Sequence, residues 1–161
     1  MAPPRVGVEL AAPGADPGGW LAEATAYEAA GVDSLWVGGG DDDPWVLLGA
    51  LAAMTWRVRL APPAGAAAHA ASTVERLSGG RLLVVLVDAG AGLEAAVAGG
   101  EVERWARAAP PPGRRAWAEA LAAAADADAH GLLVPATPGL LDLLRNPDDE
   151  DDRGDLRLTY G

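Results

Sequence analysis

The sequence predicts one α/β domain built on a mostly parallel sheet, and three observations support this fold class. Short apolar runs alternate along the chain with longer helical patterns in the order β-α-β-α-β-α-β, which favours a parallel sheet with right-handed helical crossovers. Residues 70–90 form one such unit, because a helical pattern ends at Gly79-Gly80 and an apolar strand follows at 82–87. The length of 161 residues is enough for one domain with a buried core.

Local signals place the individual elements. Asp16 followed by Pro17 is typical of a helix start, because aspartate accepts hydrogen bonds from the first amides and proline fits the first turn. Pro44 opens a helix to residue 55 that is apolar on nearly every side, which predicts that both of its sides are covered. Strands are predicted at 6–10, 34–37, 58–61, 82–87 and 131–135, and helices at 17–31, 44–55, 71–78, 114–129 and 137–145.

The remaining stretches give weaker signals. Residues 92–109 have a helical pattern that Gly99-Gly100 interrupts, and the prolines at 110–112 predict a linker. We expect a single domain over residues 1–145 and an acidic, solvated tail over 146–161. Within that tail, Leu156–Tyr160 would add a sixth strand if it pairs with the sheet.

Composition excludes several classes of protein. The net charge of −11 argues against nucleic-acid binding, which needs a cationic surface. The absence of cysteine excludes disulfides and thiolate metal sites, and no His or carboxylate spacing predicts a metal site. No apolar run is long enough to span a membrane and the first residues lack a signal-peptide pattern, so we expect a soluble cytoplasmic protein.

Three segments resemble the N-terminal half of luciferase-like monooxygenases. They are GVDSLWV at 31–37, DPWVLLGALAAMTWRVRLAP at 43–62 and ASTVERLSGGRLLVVLVDAG at 71–90, of which the run LSGGR at 77–81 is the most specific. Residues 120–144 resemble the family's C-terminal βα unit more loosely. The resemblance implies a (β/α)8 barrel of the TIM type that uses reduced flavin mononucleotide (FMN) or the deazaflavin F420.

The chain is shorter than such a barrel, which needs about 250 residues. We therefore expect a partial, truncated TIM-type barrel with a mostly parallel sheet of five to six strands, too few to close. Because an open sheet exposes two edges, we expect a homodimer that covers apolar surface through the 44–55 helix. The alternative is that residues 92–109 cover that surface within one chain.

Candidate catalytic residues lie where the strands end, because the active sites of such barrels lie at the C-terminal ends of the strands. Family members usually carry a histidine after the second strand, where this chain has Gly38-Gly39-Gly40 and then Asp41. Asp41 and Glu9, which lies in the first strand, are the catalytic candidates. The alternative for Asp41 is a solvated loop carboxylate.

The resemblance also implies where a cofactor would lie. The candidate cofactor-binding residues follow the second and fourth strands: Gly38, Asp88, Ala89 and Gly90. In the family, small residues in the fourth strand let the flavin ring lie against the backbone. Here Val85 and Val87 stand where glycine is expected, so we expect them to obstruct the ring.

Three further residues are given structural roles. We expect His69 at a solvent-facing position of its helix and His130 in the turn before the fifth strand, at the end of the sheet away from the chemistry. Arg81 is expected to pair with a nearby acid such as Glu75.

Three hypotheses about function remain open. The first is a flavin- or F420-linked oxidoreductase of the luciferase-like type, with an active site that is degenerate in part. The second is a non-catalytic binding or structural protein that keeps the half-barrel scaffold. The third is a cofactor-independent enzyme that uses Glu9, Asp41 and Asp88 around an apolar pocket.

Overall fold

A computed structural model describes residues 3–89 and 92–147 of the chain. These residues form seven strands and five helices. They are β1 Arg5–Leu10, α1 Pro17–Ala29, β2 Ser34–Val37, α2 Pro44–Met54, β3 Arg59–Ala61, α3 Ala71–Ser78, β4 Leu83–Asp88, β5 Gly92–Val97, β6 Glu103–Arg107, α4 Arg114–Asp126, β7 Gly131–Pro135 and α5 Leu140–Arg145. The predicted β-α-β-α-β-α-β order is confirmed from β1 to β4. The expected strand at Leu156–Tyr160 and nearly all of the acidic tail lie outside the described residues.

The seven strands form one mixed sheet in the order β3-β2-β1-β7-β6-β5-β4. The pairs from β3 to β6 are parallel, whereas β5 is antiparallel to both β6 and β4. A parallel bridge between Leu60 and Leu82, with the amide of Leu60 donating to the carbonyl of Arg81 at 2.9 Å, joins β3 to the start of β4. The sheet therefore curls into a nearly closed barrel.

This arrangement corrects the expected sheet of five to six mostly parallel strands with two open edges. The prediction of a helix over 92–109 was wrong, because this segment forms the antiparallel strands β5 and β6. Gly99, whose φ is +73°, lies in the turn between them rather than in an interrupted helix. The hairpin supplies two additional strands, and the sheet then curls far enough for β3 and β4 to meet.

The barrel interior is a packed core centred on two tryptophans. The rings of Trp36 and Trp105 lie 5.5 Å apart at an angle of 66°, an edge-to-face arrangement that aromatic pairs favour. Gly7 and Gly131 provide the space for Trp105, because an added Cβ would lie 3.0 Å and 2.3 Å from its ring atoms. The centre of the barrel is therefore filled by side chains.

Ionic contacts close the barrel at the N-terminal end of the parallel strands. Arg59 donates to Asp33 and to Glu103, and Arg5 also pairs with Glu103. The guanidinium of Arg59 lies 5.7 Å from the ring centre of Trp105, within cation–π range. Charged side chains therefore cover the barrel interior at the N-terminal end of the parallel strands.

Helices cover only part of the barrel's outer surface. Apolar side chains of β1, β2, β3 and β7 pack beneath them, and Leu35 and Val134 of the sheet belong to one buried cluster with Leu48 and Tyr27 of the helices. No helix separates β4, β5 and β6 in the described chain, so Val84, Leu86 and Val87 of β4 are exposed. None of the described helices has the length and apolarity needed to cross a bilayer.

The expected pairing of Arg81 with Glu75 is wrong. Arg81 instead donates to the carbonyls of Ala52, Thr55 and Val58 at 3.3, 2.9 and 2.6 Å, and Glu75 accepts from the amide of Leu82. The last carbonyls of α2 lack partners within the helix, and the partly buried guanidinium of Arg81 supplies donors for two of them. Arg81 thereby fixes the end of α2 against β4.

Candidate functional site

Three charged side chains meet at the C-terminal mouth of the barrel. Glu9 comes from β1, Asp88 from the end of β4 and Arg107 from the end of β6. Arg107 Nη1 lies 3.4 Å from Glu9 Oε2, and Arg107 Nη2 donates to Asp88 Oδ2 at 2.9 Å. Arg107 therefore bridges two carboxylates across the mouth.

The cavity beneath this bridge is small. Its floor and walls include Trp36, Val85, Leu93 and Leu133, and its volume is about 20 Å³. That is enough for about one water molecule. The mouth of the barrel is thus a packed surface capped by an ion-pair network.

Strand β6 places polar atoms along the barrel from one end to the other. Glu103, Trp105 and Arg107 alternate along the strand and therefore share its inner face. Each has a buried polar atom without a hydrogen-bond partner: Glu103 Oε2, Trp105 Nε1 and Arg107 Nε. The interior is accordingly more polar along β6 than its tryptophans suggest.

The structure brings Glu9 and Asp88 together but leaves Asp41 apart from them. Asp41 lies on the exposed loop before α2 and does not line the mouth cavity. The three carboxylates of the cofactor-independent hypothesis therefore do not surround one apolar pocket.

The cofactor-binding candidates occupy different positions. Gly38 donates its amide to the carbonyl of Leu10 at 2.8 Å, and an added Cβ would lie 3.1 Å from that oxygen. Ala89 follows the last residue of β4 and donates its amide to the carbonyl of Gly92 at 2.9 Å. Gly90 lies outside the described residues. Of these candidates in the described chain, only Asp88 reaches the mouth cavity.

The two valines of β4 point in different directions because of a bulge. The register with β5 shifts between Val85 and Val87, and such a bulge changes which side chains face inward. Val85 lines the mouth cavity, as expected. Val87 is 51 % exposed on the outer surface, so the expectation that it obstructs the mouth is wrong.

A second, larger cleft lies beside the mouth, between the loops that follow β2 and β3. It has a volume of about 460 Å³ and is lined by Gly38–Gly40 on one side and by residues 63–67 on the other. His69 Nε2 lies 3.2 Å from Asp43 Oδ2, and the His69 ring contacts the edge of Trp45 at 6.3 Å between centres. This cleft has the size of a small-molecule site.

The histidines differ from expectation in one respect. His69 is solvent-facing, but it lies on the loop before α3 rather than on a helix. His130 is the turn residue expected, and its Nδ1 accepts from the amide of Arg104 at 3.1 Å at the start of β7.

Sequence reasoning missed Arg107 because it assigned residues 92–109 to a helix. Glu103-Arg104-Trp105-Ala106-Arg107 does not alternate between charged and apolar residues, so the local pattern contained no clear strand signal. Glu103 and Arg107 are four positions apart along β6, so both side chains lie on the inner face of the strand. No cluster of three or more His, Cys, Asp or Glu that could hold a metal occurs in the part of the chain that the structure describes.

Comparison with known proteins gives one finding. The family model described as luciferase-like monooxygenase matches residues 1–128, from before β1 to just beyond α4. No curated protein and no solved structure gives a significant match.

Proposed function

Because this chain belongs to the luciferase-like monooxygenase family, we propose that it is a family member whose barrel mouth does not hold a flavin or deazaflavin ring. It serves instead as a non-catalytic binding or structural protein on the family scaffold. The observation that supports this proposal is the packed mouth, where the Arg107 bridge covers a cavity of about 20 Å³.

The residues at the mouth do not fit a flavin ring. Small-molecule sites usually have volumes of about 300–1,000 Å³, which is more than ten times the space beneath Arg107. The ion pairs alone would be a weak barrier, because pairs this exposed contribute about 1 kcal/mol or less each. The apolar side chains of Val85, Leu93 and Leu133 are the stronger barrier, because they are part of the barrel core.

The residues at the mouth also offer little proton-transfer chemistry. The loop after β2, where the family usually carries a histidine, presents Gly38, Gly39 and Gly40, which have no side chain to exchange a proton. Glu9 and Asp88 are both engaged by Arg107. This supports loss of the family's chemistry at this position.

A second candidate function is a flavin- or F420-linked oxidoreductase that holds its cofactor in the cleft beside Gly38–Gly40. The observation that favours it is the volume of about 460 Å³ together with the paired His69 and Asp43 at one side. An imidazole is a side chain that can exchange a proton with a ligand, and His69 lines that cleft.

A fluorescence titration with FMN, with FAD and with F420 separates the two candidates. We expect no quenching and no spectral shift with the wild-type protein. Two variants locate any binding that does occur. Gly39→Leu projects a side chain into open space beside the cleft, and Val85→Leu adds a methylene group at the mouth.

Each positive result has one meaning. Wild-type binding that Gly39→Leu abolishes and Val85→Leu retains would replace the first candidate by the second. Wild-type binding that Val85→Leu abolishes and Gly39→Leu retains would contradict the claim that the mouth is closed. Circular dichroism of both variants verifies that they remain folded.

A further inference from the structure

The cleft beside the mouth has two walls that are fixed against each other. Trp45, at the start of α2, is 5 % exposed, and its Nε1 donates to the carbonyl of Ala67 at 2.6 Å. Its amide donates to Asp43 Oδ1 at 2.9 Å. These two hydrogen bonds tie the loop after β3 to the beginning of α2. The cleft of about 460 Å³ therefore lies between anchored segments, and its size is typical of a preformed small-molecule site.

The ionisable groups of this cleft give it a negative charge. Asp42, Asp43 and His69 are the ionisable side chains among its described lining residues, which include no arginine. The chain also contains no lysine, and its net charge is −11. A concave site lined by charges of one sign concentrates ligands of the opposite sign. The cleft therefore favours a cation and repels an anion.

His69 adds a hydrogen-bond acceptor beside the carboxylates. A carboxylate only accepts hydrogen bonds, so His69 Nε2, which lies 3.2 Å from Asp43 Oδ2, carries the hydrogen of this contact. In the neutral ring the other nitrogen, Nδ1, is then an acceptor. The ionisable side chains of the cleft therefore present acceptors, which suit a ligand that has N–H donors.

The rest of the lining is small or apolar. Residues 63–67 read Pro-Ala-Gly-Ala-Ala, and Pro44 lines the cleft as well. Burial of an apolar group against such surface is favourable, because both are removed from water. A ligand that matches the cleft therefore combines a cationic group with a small apolar group.

We propose that this cleft binds a small organic ammonium ion. Its N–H groups donate to the Asp43 carboxylate and to His69 Nδ1, and its apolar group lies against residues 63–67. The inference rests on the proposed function, because it supplies a ligand class for a binding protein whose barrel mouth is closed. The same charge disfavours FMN in this cleft, since FMN carries an anionic phosphate group.

Calorimetric titration with three probes of similar size tests the ligand class. Benzylammonium, benzyl alcohol and benzoate share a phenyl ring and differ in charge. At about pH 8 an ordinary imidazole is neutral, whereas an alkylammonium is charged. We expect benzylammonium to bind about tenfold more tightly than benzyl alcohol, because hydrogen bonds to ionised groups are stronger than neutral ones, and we expect benzoate not to bind. Absence of benzylammonium binding, or equal binding of benzylammonium and benzoate, would overturn the proposal.

A pair of charge variants tests the location of the ligand. Asp43→Asn removes a charge but keeps a side chain that caps helices equally well, and it should weaken benzylammonium binding about tenfold. Asp16→Asn is the matched control, because Asp16 caps α1 in the same way and lies outside the cleft. It should leave the binding unchanged. Equal weakening by both variants would mean that the cation responds only to the net charge, and would overturn the proposed site.

Gly39→Leu is a second test of location that changes no charge. Its side chain occupies space beside the glycine loop, so it should abolish benzylammonium binding. Full binding by both Gly39→Leu and Asp43→Asn would place the ligand elsewhere and contradict the proposal. Failure of the proposed function has a different signature, namely flavin or F420 binding in the fluorescence titration, whereas this inference fails when benzylammonium gives no heat of binding. Circular dichroism verifies the fold of each variant.

Discussion

Charged residues at the two ends of β6 have opposite relations to solvent. Arg107 at the mouth is about one-third exposed, whereas the Glu103 carboxylate at the other end is largely buried between Arg5 and Arg59. Solvent therefore screens the charge of Arg107 more strongly, and each of its ion pairs with Glu9 and Asp88 is weak. The Glu103 contacts are the ones that should dominate stability at the residue scale.

Glu103→Gln should lower the free energy of unfolding by about 3 kcal/mol at neutral pH, because it removes the carboxylate that pairs with the largely buried Arg59 and with the more exposed Arg5. Urea unfolding monitored by tryptophan fluorescence measures the change. Glu119→Gln is the control, because Glu119 forms an exposed pair with Arg115, and it should change stability by no more than about 0.5 kcal/mol. Equal effects of the two substitutions would contradict the account of Glu103.

The same carboxylate should make stability depend on acid pH. Burial by itself raises the pKa of Glu103, but hydrogen bonds from Arg59 and Arg5 outweigh it and hold the pKa below the ordinary 4.5. The stabilising contribution is therefore present above pH 4.5 and is lost as the pH falls through the lower folded value. Unfolding curves between neutral pH and pH 3 should show a steeper loss for the wild type than for Glu103→Gln. An equal loss of stability in the wild type and in Glu103→Gln would contradict the role given to the Glu103 carboxylate.

Sequence signals predicted local side-chain contacts better than distant ones. The Asp16 cap was predictable, and its carboxylate accepts from the amide of Gly19 at 2.8 Å. Glu28 was not, because it accepts from three consecutive amides at 56–58, about thirty residues away. Arg81 binds carbonyls at a similar separation. Contacts of this kind depend on the tertiary fold, which a local pattern does not contain.

At the scale of elements, the β5–β6 hairpin determines how the barrel is built. Its strands replace a helical crossover and bring Trp105 into the centre of the barrel. Alanine-rich segments such as this one match helical composition, and the paired glycines at 99–100 fit either a helix break or a turn. Strand β6 lacks a period-2 alternation of charged and apolar residues, and this explains why the segment was interpreted as a helix.

Gly131→Ala should destabilise the protein by about 1–3 kcal/mol, the usual cost of an overfilled core. The added methyl would lie 2.3 Å from a ring atom of Trp105, so the ring or strand β7 must shift. Gly39→Ala is the matched control, because its new Cβ would meet nothing within 4 Å. Chemical denaturation of both variants measures the difference. Equal stabilities would mean that Trp105 does not depend on Gly131 for space.

At the scale of the whole molecule, the near closure of the sheet was the feature that could not be predicted from the sequence. The βα units up to β4 were predictable because each carries local caps and an apolar run. Closure depends on the register of seven strands and on the contact of β3 with β4 through Leu60 and Leu82. The contact between Leu60 and Leu82 depends on the tertiary fold and leaves no local pattern in the sequence. The five to six predicted strands therefore indicated an open sheet.

The candidate site was predictable only in part for the same reason. Glu9, Asp88 and Val85 do lie at the mouth, as strand-end positions indicated. Their partner Arg107 comes from the misassigned hairpin, and the bulge in β4 turns Val87 away from the mouth. A family barrel can be retained while its site changes, so the fold does not fix the activity.

The most direct test is a crystal structure of the protein soaked with FMN and, separately, with F420. The account predicts that Arg107 remains in contact with Glu9 and Asp88, and that no ring system lies above Val85. Electron density for an isoalloxazine or deazaflavin ring at the mouth, with Arg107 displaced from Asp88, would contradict it.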